Sequence, residues 1–215
     1  MNKLTLTFDN GPEPEVTGEV LAVLRRHRLR SCFFVLGQKL ADPARRALAE
    51  RARADGHWIG NHTYSHSTPL GMRTEPDAPE LEIGRSQELI GPLAHPNRWF
   101  RPIGGGRLDH RLLSPAALDY LVRNRYSCVL WNCVPRDWAE ADGWTDTAWR
   151  ELQLRPWTLM VLHDLPTGAM KHLDTFLARL LKAGVEIVQE FPPDCVPIVN
   201  GQIVRPMAPF VAAAP

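Results

Sequence analysis

The sequence lacks the features that mark several classes of protein. It has no charged leader followed by an apolar segment and no long apolar run, so we expect neither a secretion signal nor a membrane-spanning helix, and a cytoplasmic location. Its formal net charge is only +1, which gives no reason to expect nucleic acid or a membrane surface as a partner. Cysteine is scarce and no Cys-x-x-Cys pair occurs, so reduced, buried thiols are expected rather than disulfides. The cysteines are Cys32, Cys128, Cys133 and Cys195.

The composition is otherwise that of an ordinary globular chain. Of the 215 residues, 44% are hydrophobic and 23% are charged, which suits one domain with a sizeable core. We predict that this domain covers residues 1–190 and that a tail rich in proline and alanine follows over 191–215, packed as an irregular strap or frayed. The sequence makes no prediction of the oligomeric state.

About seven strand patterns alternate with helix patterns along the chain. Short apolar or alternating segments predict strands, and apolar residues at a spacing of three to four predict helices. This alternation is typical of parallel β/α units, either closed as a barrel or open as a sheet. The predicted strands are 4–8, 31–36, 58–61, 98–101, 126–131, 158–162 and 185–189, and the predicted helices are 15–27, 43–54, 80–93, 115–123, 145–154 and 169–183.

Polar side chains collect where these strands end. The segments are "FDNGP", "NHTYSH", "FRPIGGG", "WNCVPRDW" and "TLMVLHDL". Because the carboxyl ends of parallel strands meet at one face of such a fold, five polar groups are expected to converge there. Core packing alone does not readily explain that pattern.

Each segment taken alone has an ordinary explanation. His62 and His66 are four residues apart, which on a helical turn would let both imidazoles bind one metal ion, but this spacing alone more often belongs to hydrogen-bonded surface histidines. The glycines after Arg101 could form a simple turn. Asp137 could cap a helix beside a core Trp138, and His163 could be a buried core histidine.

Together the five segments resemble the motifs of the polysaccharide deacetylase family, the NodB-homology domain of carbohydrate esterase family 4. "TFDNGP" resembles the family's Thr-Phe-Asp-Asp-Gly-Pro, "HTYSH" its His-Ser/Thr-x-x-His, and "FRPIGG" its Phe-Arg-Pro-Pro-Tyr-Gly. "RDW" and "LMVLHD" resemble the end of the Asp-Trp motif and the Leu-x-Leu-His motif. All five occur in order between residues 5 and 164.

The resemblance implies a distorted (β/α) barrel that hydrolyses N- or O-acetyl groups, most often on N-acetylglucosamine polymers. It implies that Asp9 is the general base toward a water on a divalent ion, commonly zinc, which His62 and His66 hold. Arg101 then keeps Asp9 ionised and oriented. His163 protonates the leaving amine, and Asp137 tunes that imidazole.

The same resemblance implies how the substrate is held. Trp138 and Leu162 correspond to the walls of a small pocket for the acetyl methyl group. A backbone N–H of 61–64 or 103–105 is expected to help stabilise the oxyanion. The expected partner is an acylated amino sugar or a small amide.

Four positions depart from the family pattern. Asn10 stands where an aspartate usually completes the metal site; its amide oxygen can still coordinate a cation but brings no charge, so we expect weaker metal binding. Gly104 replaces the motif tyrosine and Ile103 the proline before it, which we expect to open the floor of the cleft near the substrate. Val134 stands where a further acidic residue is often found.

Three functions remain open from the sequence. The first is a metal-assisted deacetylase of an N-acetylated sugar or oligosaccharide, for which the lack of a leader favours a soluble substrate. The second is a small-molecule amide or imide hydrolase that binds metal weakly or not at all. The third is a non-catalytic carbohydrate-binding relative. Retention of Asp9, Arg101, Asp137 and His163 argues against the third, because a binding module needs neither a base nor an acid.

Overall fold

A curled sheet of seven parallel strands forms the centre of the fold in the computed structural model, which describes residues 2–213. The strands run in the order β6-β1-β2-β3-β4-β5, and β7 pairs with the first half of β1. This arrangement confirms the predicted distorted (β/α) barrel. The strands are β1 (Lys3–Asp9), β2 (Cys32–Val35), β3 (Trp58–Asn61), β4 (Trp99–Phe100), β5 (Ser127–Cys128), β6 (Trp157–His163) and β7 (Glu186–Val188).

Six α-helices connect the strands, close to the predicted positions. Asp42 caps α2 by accepting hydrogen bonds from the N–H groups of Ala44 and Arg45, and Ser114 caps α4 through Ala117. The segment predicted as one helix over 80–93 is a π-helical turn, then α3, then a 3₁₀ turn. Over residues 2–213 no helix has the length and apolar character needed to cross a membrane. The helices are α1 (Thr17–Arg26), α2 (Pro43–Ala54), α3 (Arg85–Ile90), α4 (Pro115–Arg123), α5 (Trp144–Leu152) and α6 (Leu173–Lys182).

The two ends of the curled sheet approach each other through the segment that follows β5. Cys133 forms an isolated parallel bridge with Met160 of β6, and its N–H donates to the carbonyl of Leu159 at 3.1 Å. The predicted strand over 126–131 is therefore shorter than expected, since only Ser127–Cys128 pairs regularly. Val129 still donates to the carbonyl of Phe100 in β4, and the chain reaches β6 only at Asn132 and Cys133, which both donate to Leu159.

The alternation of β1 separates two apolar layers. Leu4, Leu6 and Phe8 are fully buried in the layer that the helices cover, whereas Thr7 and Asp9 face the inside of the barrel. A second apolar cluster fills that interior and the far side of the sheet. All four cysteines are free and buried, as predicted. The period of two thus delivers a carboxylate to the end of the barrel interior.

The residues after 190 are more ordered than expected. A hairpin of β8 (Ile198–Val199) and β9 (Gln202–Ile203) extends the sheet, with β8 antiparallel to β5. Further on, Val211 forms a bridge with Leu113. The expectation of a frayed end is therefore wrong for residues 191–213, whereas outside this hairpin the segment packs mostly as irregular chain. Residues 1, 214 and 215 lie outside the described part. The domain boundary at residue 190 stays a prediction.

Candidate active site

A cleft of about 570 Å³ opens at the carboxyl ends of the strands. It collects most of the residues that the sequence singles out, including both histidines of the "NHTYSH" segment. Arg101 and Asp137 lie directly behind it, fully buried. The predicted site residues on its lining are Asp9, Asn10, His62, His66, Gly104, Trp138 and His163.

Asp9 ends β1, with one carboxylate oxygen held by Arg101 and the other facing His62. Its Oδ1 accepts a hydrogen bond from Nη1 of Arg101 at 2.8 Å, and its Oδ2 lies 3.6 Å from Nε2 of His62. Only 3% of Asp9 is exposed. The charge-assisted hydrogen bond from Arg101 fixes the direction of this carboxylate.

Arg101 is a fully buried charge behind the cleft, with no exposed surface. Its Nη1 also donates to Oγ1 of Thr7 at 2.7 Å, and its other guanidinium nitrogens donate to the carbonyls of Val129 and Leu130 at 3.3 Å. The guanidinium lies 4.0 Å from the centre of the Phe34 ring. These contacts satisfy a buried cation and fix its direction toward Asp9.

His62 and His66 come together through a loop rather than through a helical turn. Thr63 and His66 adopt left-handed conformations, with φ of 72° and 54°, and the two imidazole centres lie 4.9 Å apart. The spacing of four residues therefore does bring the two imidazoles together, but a loop does this and not the helical turn that was predicted. His62 donates its Nδ1–H to the carbonyl of Arg101 at 2.8 Å, which leaves Nε2 directed toward Asp9.

Glu82 fixes this loop from below, and sequence reasoning missed it. Its Oε2 accepts from the N–H groups of Tyr64 and Ser65 at 3.1 and 2.9 Å, and its Oε1 accepts from Nη1 of Arg73 at 2.9 Å. Glu82 is only 4% exposed. No local pattern identifies it, since a glutamate in a polar stretch is usually a solvated surface residue.

The same contacts remove one predicted oxyanion donor. The N–H of His62 donates to the carbonyl of Val35, that of Thr63 to Oδ1 of Asn61, and that of Tyr64 to Glu82. The backbone N–H groups of 62–64 therefore serve the loop and are not free for a substrate. The alternative donors at 103–105 stay a prediction.

We expect Glu82→Gln to loosen the histidine loop. The amide would turn an N–H donor toward groups that are themselves donors, so metal affinity should fall by about ten- to a hundred-fold, as for other residues that orient ligands. The loss of hydrogen bonds to a buried charge should also lower the free energy of unfolding by about 1–3 kcal/mol. Metal titration and thermal unfolding measure the two effects.

Glu75→Gln is the matched control, because Glu75 binds the same Arg73 but lies on the surface. It removes an equal charge without touching the loop. Equal metal affinity in wild type and the Glu82 variant would show that the loop holds its shape without this carboxylate.

The residues present fit a divalent cation on one observation in particular: Oδ1 of Asn10 is buried and has no hydrogen-bond partner. It lines the same cleft as His62 and His66. Across residues 2–213 no group of three or more His, Cys, Asp or Glu side chains is placed to hold a metal ion. The donor set is therefore two imidazoles and one neutral oxygen, one charge less than with a carboxylate at position 10.

Both imidazoles are neutral near pH 7. Burial lowers the pKa of His62 below its usual range even though the charge of Asp9 opposes the shift. Burial and the neighbouring His62 lower the pKa of His66 to about 3. Neutral imidazole is the form that binds metal ions, so no proton has to leave before a cation enters.

His163 ends β6 and is fixed by Asp137. It donates Nδ1–H to Oδ1 of Asp137 at 2.9 Å, and its backbone N–H donates to Oδ2 at 2.8 Å. Trp138 packs edge-on against the imidazole with ring centres 4.8 Å apart. Burial would lower the pKa of His163, but the hydrogen bond and charge of Asp137, with Asp9 and Asp164, raise it above its usual value.

Leu162 does not reach the cleft, so the prediction that it walls the acetyl pocket is wrong. It has no exposed surface and belongs to the layer under the helices, because neighbouring strand residues point to opposite faces. Its neighbour Val161 lines the cleft instead, together with Leu165 and Trp138.

Trp131 closes the floor that was expected to be open. A Cβ added to Gly104 would lie 2.4 Å from Cη2 of Trp131, so the indole fills the space where a side chain would begin. Trp131 lines the cleft and is only 6% exposed. Sequence reasoning missed it because it follows a buried strand and reads as part of that strand.

The comparisons with known proteins agree with this fold and these motifs. The family model described as polysaccharide deacetylase matches residues 2–122. A chitooligosaccharide deacetylase from Rhizobium leguminosarum bv. phaseoli is 32% identical over 167 residues, which cover 75% of this chain and 67% of the relative. The chain thus spans about two thirds of that relative's length.

Two solved structures support the same assignment. A peptidoglycan N-acetylglucosamine deacetylase superposes with a TM-score of 0.72 at 27% identity, covering 90% of this chain and 87% of the other. A family 4 acetyl xylan esterase from Clostridium thermocellum, in complex with a cobalt ion, gives 0.71 at 27% identity, covering 87% and 88%.

The chain belongs to the polysaccharide deacetylase family. It is therefore a deacetylase-type hydrolase of carbon–nitrogen bonds other than peptide bonds, in a family that generally uses a divalent metal ion. The roles of the individual site residues stay predictions.

Proposed function

We propose that this protein hydrolyses the N-acetyl group of an amino sugar or short oligosaccharide, with Asp9 as the base, His163 as the acid and a divalent ion, zinc by preference, beside them. The named relatives act on chitooligosaccharides and peptidoglycan, and the shared family makes an N-acetylated sugar the natural substrate class. Amide hydrolysis needs a nucleophilic water, stabilisation of charge on the carbonyl oxygen and a proton for a poor leaving group.

One observation supports this proposal above the others. Asp9 and His163 are paired in register on adjacent strands, β1 and β6, and both side chains line the cleft. Each is backed by a buried partner of opposite charge, Arg101 for the carboxylate and Asp137 for the imidazole. A proton acceptor and a proton donor thus stand side by side with separate supports.

The roles of these groups follow from their contacts. Asp9, with Oδ1 held by Arg101, accepts a proton from the attacking water at Oδ2. His163, with Nδ1 held by Asp137, delivers a proton from Nε2 to the leaving nitrogen. The apolar side chains of Trp131, Trp138 and Val161 surround the acyl group and keep bulk water away.

His62, His66 and the Oδ1 atom of Asn10 would hold the ion. When bound, it would polarise the acyl carbonyl and make a water molecule more acidic. Because Asn10 brings no charge, the protein's own groups leave more positive charge uncompensated than a two-histidine, one-carboxylate site would. We therefore propose weak binding of the ion.

The test is release of acetate from chitooligosaccharides of defined length, with metal analysis of the same purified protein. Acetate release that a chelator stops and zinc restores supports the proposal. Release that persists without metal would instead favour a metal-independent amide hydrolase. Sugar binding with no acetate release would favour a non-catalytic relative.

We expect Asn10→Asp to tighten zinc binding by about ten-fold or more, since a carboxylate adds a negative charge next to the cation. Turnover need not rise in parallel, because an anionic ligand also makes the ion less electrophilic. Zinc titration compares the two proteins, and acetate release at saturating zinc compares their turnover.

The wild type needs one chemical control, because Asn10-Gly11 is a sequence prone to deamidation. Peptide mass mapping of fresh protein establishes that position 10 is still an amide. If both proteins bind zinc equally, Asn10 is not a ligand, and the metal site must be built from His62 and His66 with another group.

A further inference from the structure

Two arginine side chains line the cleft without a structural partner. Arg107 and Arg136 are both exposed and both belong to the lining. Over residues 2–213 neither side chain makes a hydrogen bond or an ion pair with the protein; the guanidinium of Arg136 only lies 6.0 Å from the centre of the Trp138 ring. In contrast, Arg101 behind the cleft is fully committed to Asp9, Thr7 and backbone carbonyls.

The two arginines come from loops that lie against each other. Arg107 closes the turn after β4, where its N–H donates to the carbonyl of Gly104 at 3.0 Å. A Cβ on Gly106 would lie 3.6 Å from Val134 and 3.8 Å from Trp138, so this turn packs on the segment that carries Arg136. The two segments that carry Arg107 and Arg136 therefore lie on the same side of the cleft.

The part of the cleft that residues 2–213 form offers these cations no free counter-charge. Asp9 is the only carboxylate on this lining, and it is already paired with Arg101. The two neighbouring positions that could supply further carboxylates hold Asn10 and Val134 instead. Arg107 and Arg136 therefore leave this part of the cleft positively charged. A cleft walled by low-dielectric tryptophan rings concentrates this potential on whatever binds there.

We propose that the cleft selects acylated amino sugars that carry an anionic substituent, a carboxylate or a phosphate, which Arg107 and Arg136 bind. Guanidinium groups match both anions in geometry, through paired N–H donors. This proposal rests on the proposed deacetylase function and narrows its substrate class. A neutral chitooligosaccharide leaves both arginines without a partner and is then the poorer substrate.

The test compares pairs of related sugars in which one member carries an anionic group and the other does not. For a carboxylate, N-acetylmuramic acid is compared with its methyl ester, which has the same bulk; for a phosphate, N-acetylglucosamine 6-phosphate is compared with N-acetylglucosamine. We expect kcat/KM to be higher for at least one anionic sugar than for its neutral match, and the advantage to shrink at high salt because the arginines are exposed.

Arg107→Gln and Arg136→Gln should each lower the anionic-to-neutral ratio of kcat/KM by roughly three- to ten-fold, the size of one partly exposed charge-assisted contact. Arg123→Gln is the matched control, since Arg123 is exposed on α4, pairs with Asp119 and does not line the cleft. It should leave the ratio as in wild type.

Binding of the same four sugars, followed by NMR of the protein, separates this proposal from the proposed function. Suppose that an anionic sugar binds preferentially, that this preference needs Arg107 and Arg136, and that no sugar releases acetate. This result contradicts the deacetylase function and supports the anion site. If acetate is released but the anionic-to-neutral ratio of kcat/KM is near one in wild type and in both variants, the anion site is wrong and the deacetylase function still holds.

Discussion

Asp9→Asn is expected to reduce acetate release by about a hundred- to ten-thousand-fold, the range that a positioned general base contributes. The amide keeps the shape of the side chain and can still accept the hydrogen bond from Arg101, but it cannot take up a proton. The loss should fall on kcat, while KM for the sugar changes little, because binding of the substrate does not need the base. Steady-state kinetics on one chitooligosaccharide measures both.

The same substitution should also make the protein less stable. Arg101 is fully buried, and among residues 2–213 Asp9 is its only carboxylate partner within hydrogen-bonding distance. Breaking a buried ion pair costs about 3–5 kcal/mol, less where the amide retains a hydrogen bond. Thermal unfolding therefore has to show that the variant is folded at the assay temperature. A folded variant that keeps a tenth or more of the wild-type kcat would show that another group takes the proton.

His163→Ala is the second substitution for which we expect a large loss of activity. It should slow hydrolysis of an N-acetyl amide by about a hundred- to ten-thousand-fold, because an amine leaves poorly unless it is protonated. An O-acetyl ester of similar shape should lose far less, since an alkoxide needs less help to leave. The ratio of the two losses is the measurement. Equal losses on amide and ester would count against His163 as the leaving-group acid.

His172→Ala is its matched control, because His172 also binds an aspartate, Asp142, at 3.0 Å but on the surface and away from the cleft. The pH profile provides an independent check. The pKa of His163 is raised, so the acid form that the reaction needs is present below that pKa and is lost as the pH rises through it. Asp137→Asn removes the charge that raises it, and the alkaline limb of kcat/KM should move to lower pH.

The sequence predicts the order and type of the elements well because their signals are local. Proline after Asp42 and Ser114 fixes the starts of α2 and α4, and the alternation of β1 identifies which face Asp9 occupies. The hairpin after residue 190 escapes prediction, because its strands are two residues long and form only against the edge of β5. The many prolines in this segment predict irregular structure, but pairing of β8 with β5 forms a short hairpin there all the same.

The site divides in the same way. Residues at strand ends are found from position alone, which gives Asp9, His62 and His163. Glu82 is not predicted from the sequence, because its role depends on hydrogen bonds that it accepts from two backbone N–H groups of a loop. These groups lie seventeen and eighteen residues away along the chain. The prediction for Leu162 is wrong by one residue, since successive side chains of a strand point to opposite faces. His163 and its neighbour Leu162 therefore cannot both face the cleft.

Arg101 contacts both Asp9 and His62, through different parts of the same residue. The guanidinium of Arg101 anchors the carboxylate of Asp9, and the backbone carbonyl of the same residue anchors the imidazole of His62 at 2.8 Å. A shift of the chain at the end of β4 would therefore act on Asp9 and His62 together. These two residues lie 3.6 Å apart although they come from strands that are not neighbours, and Arg101 links them from a third strand end.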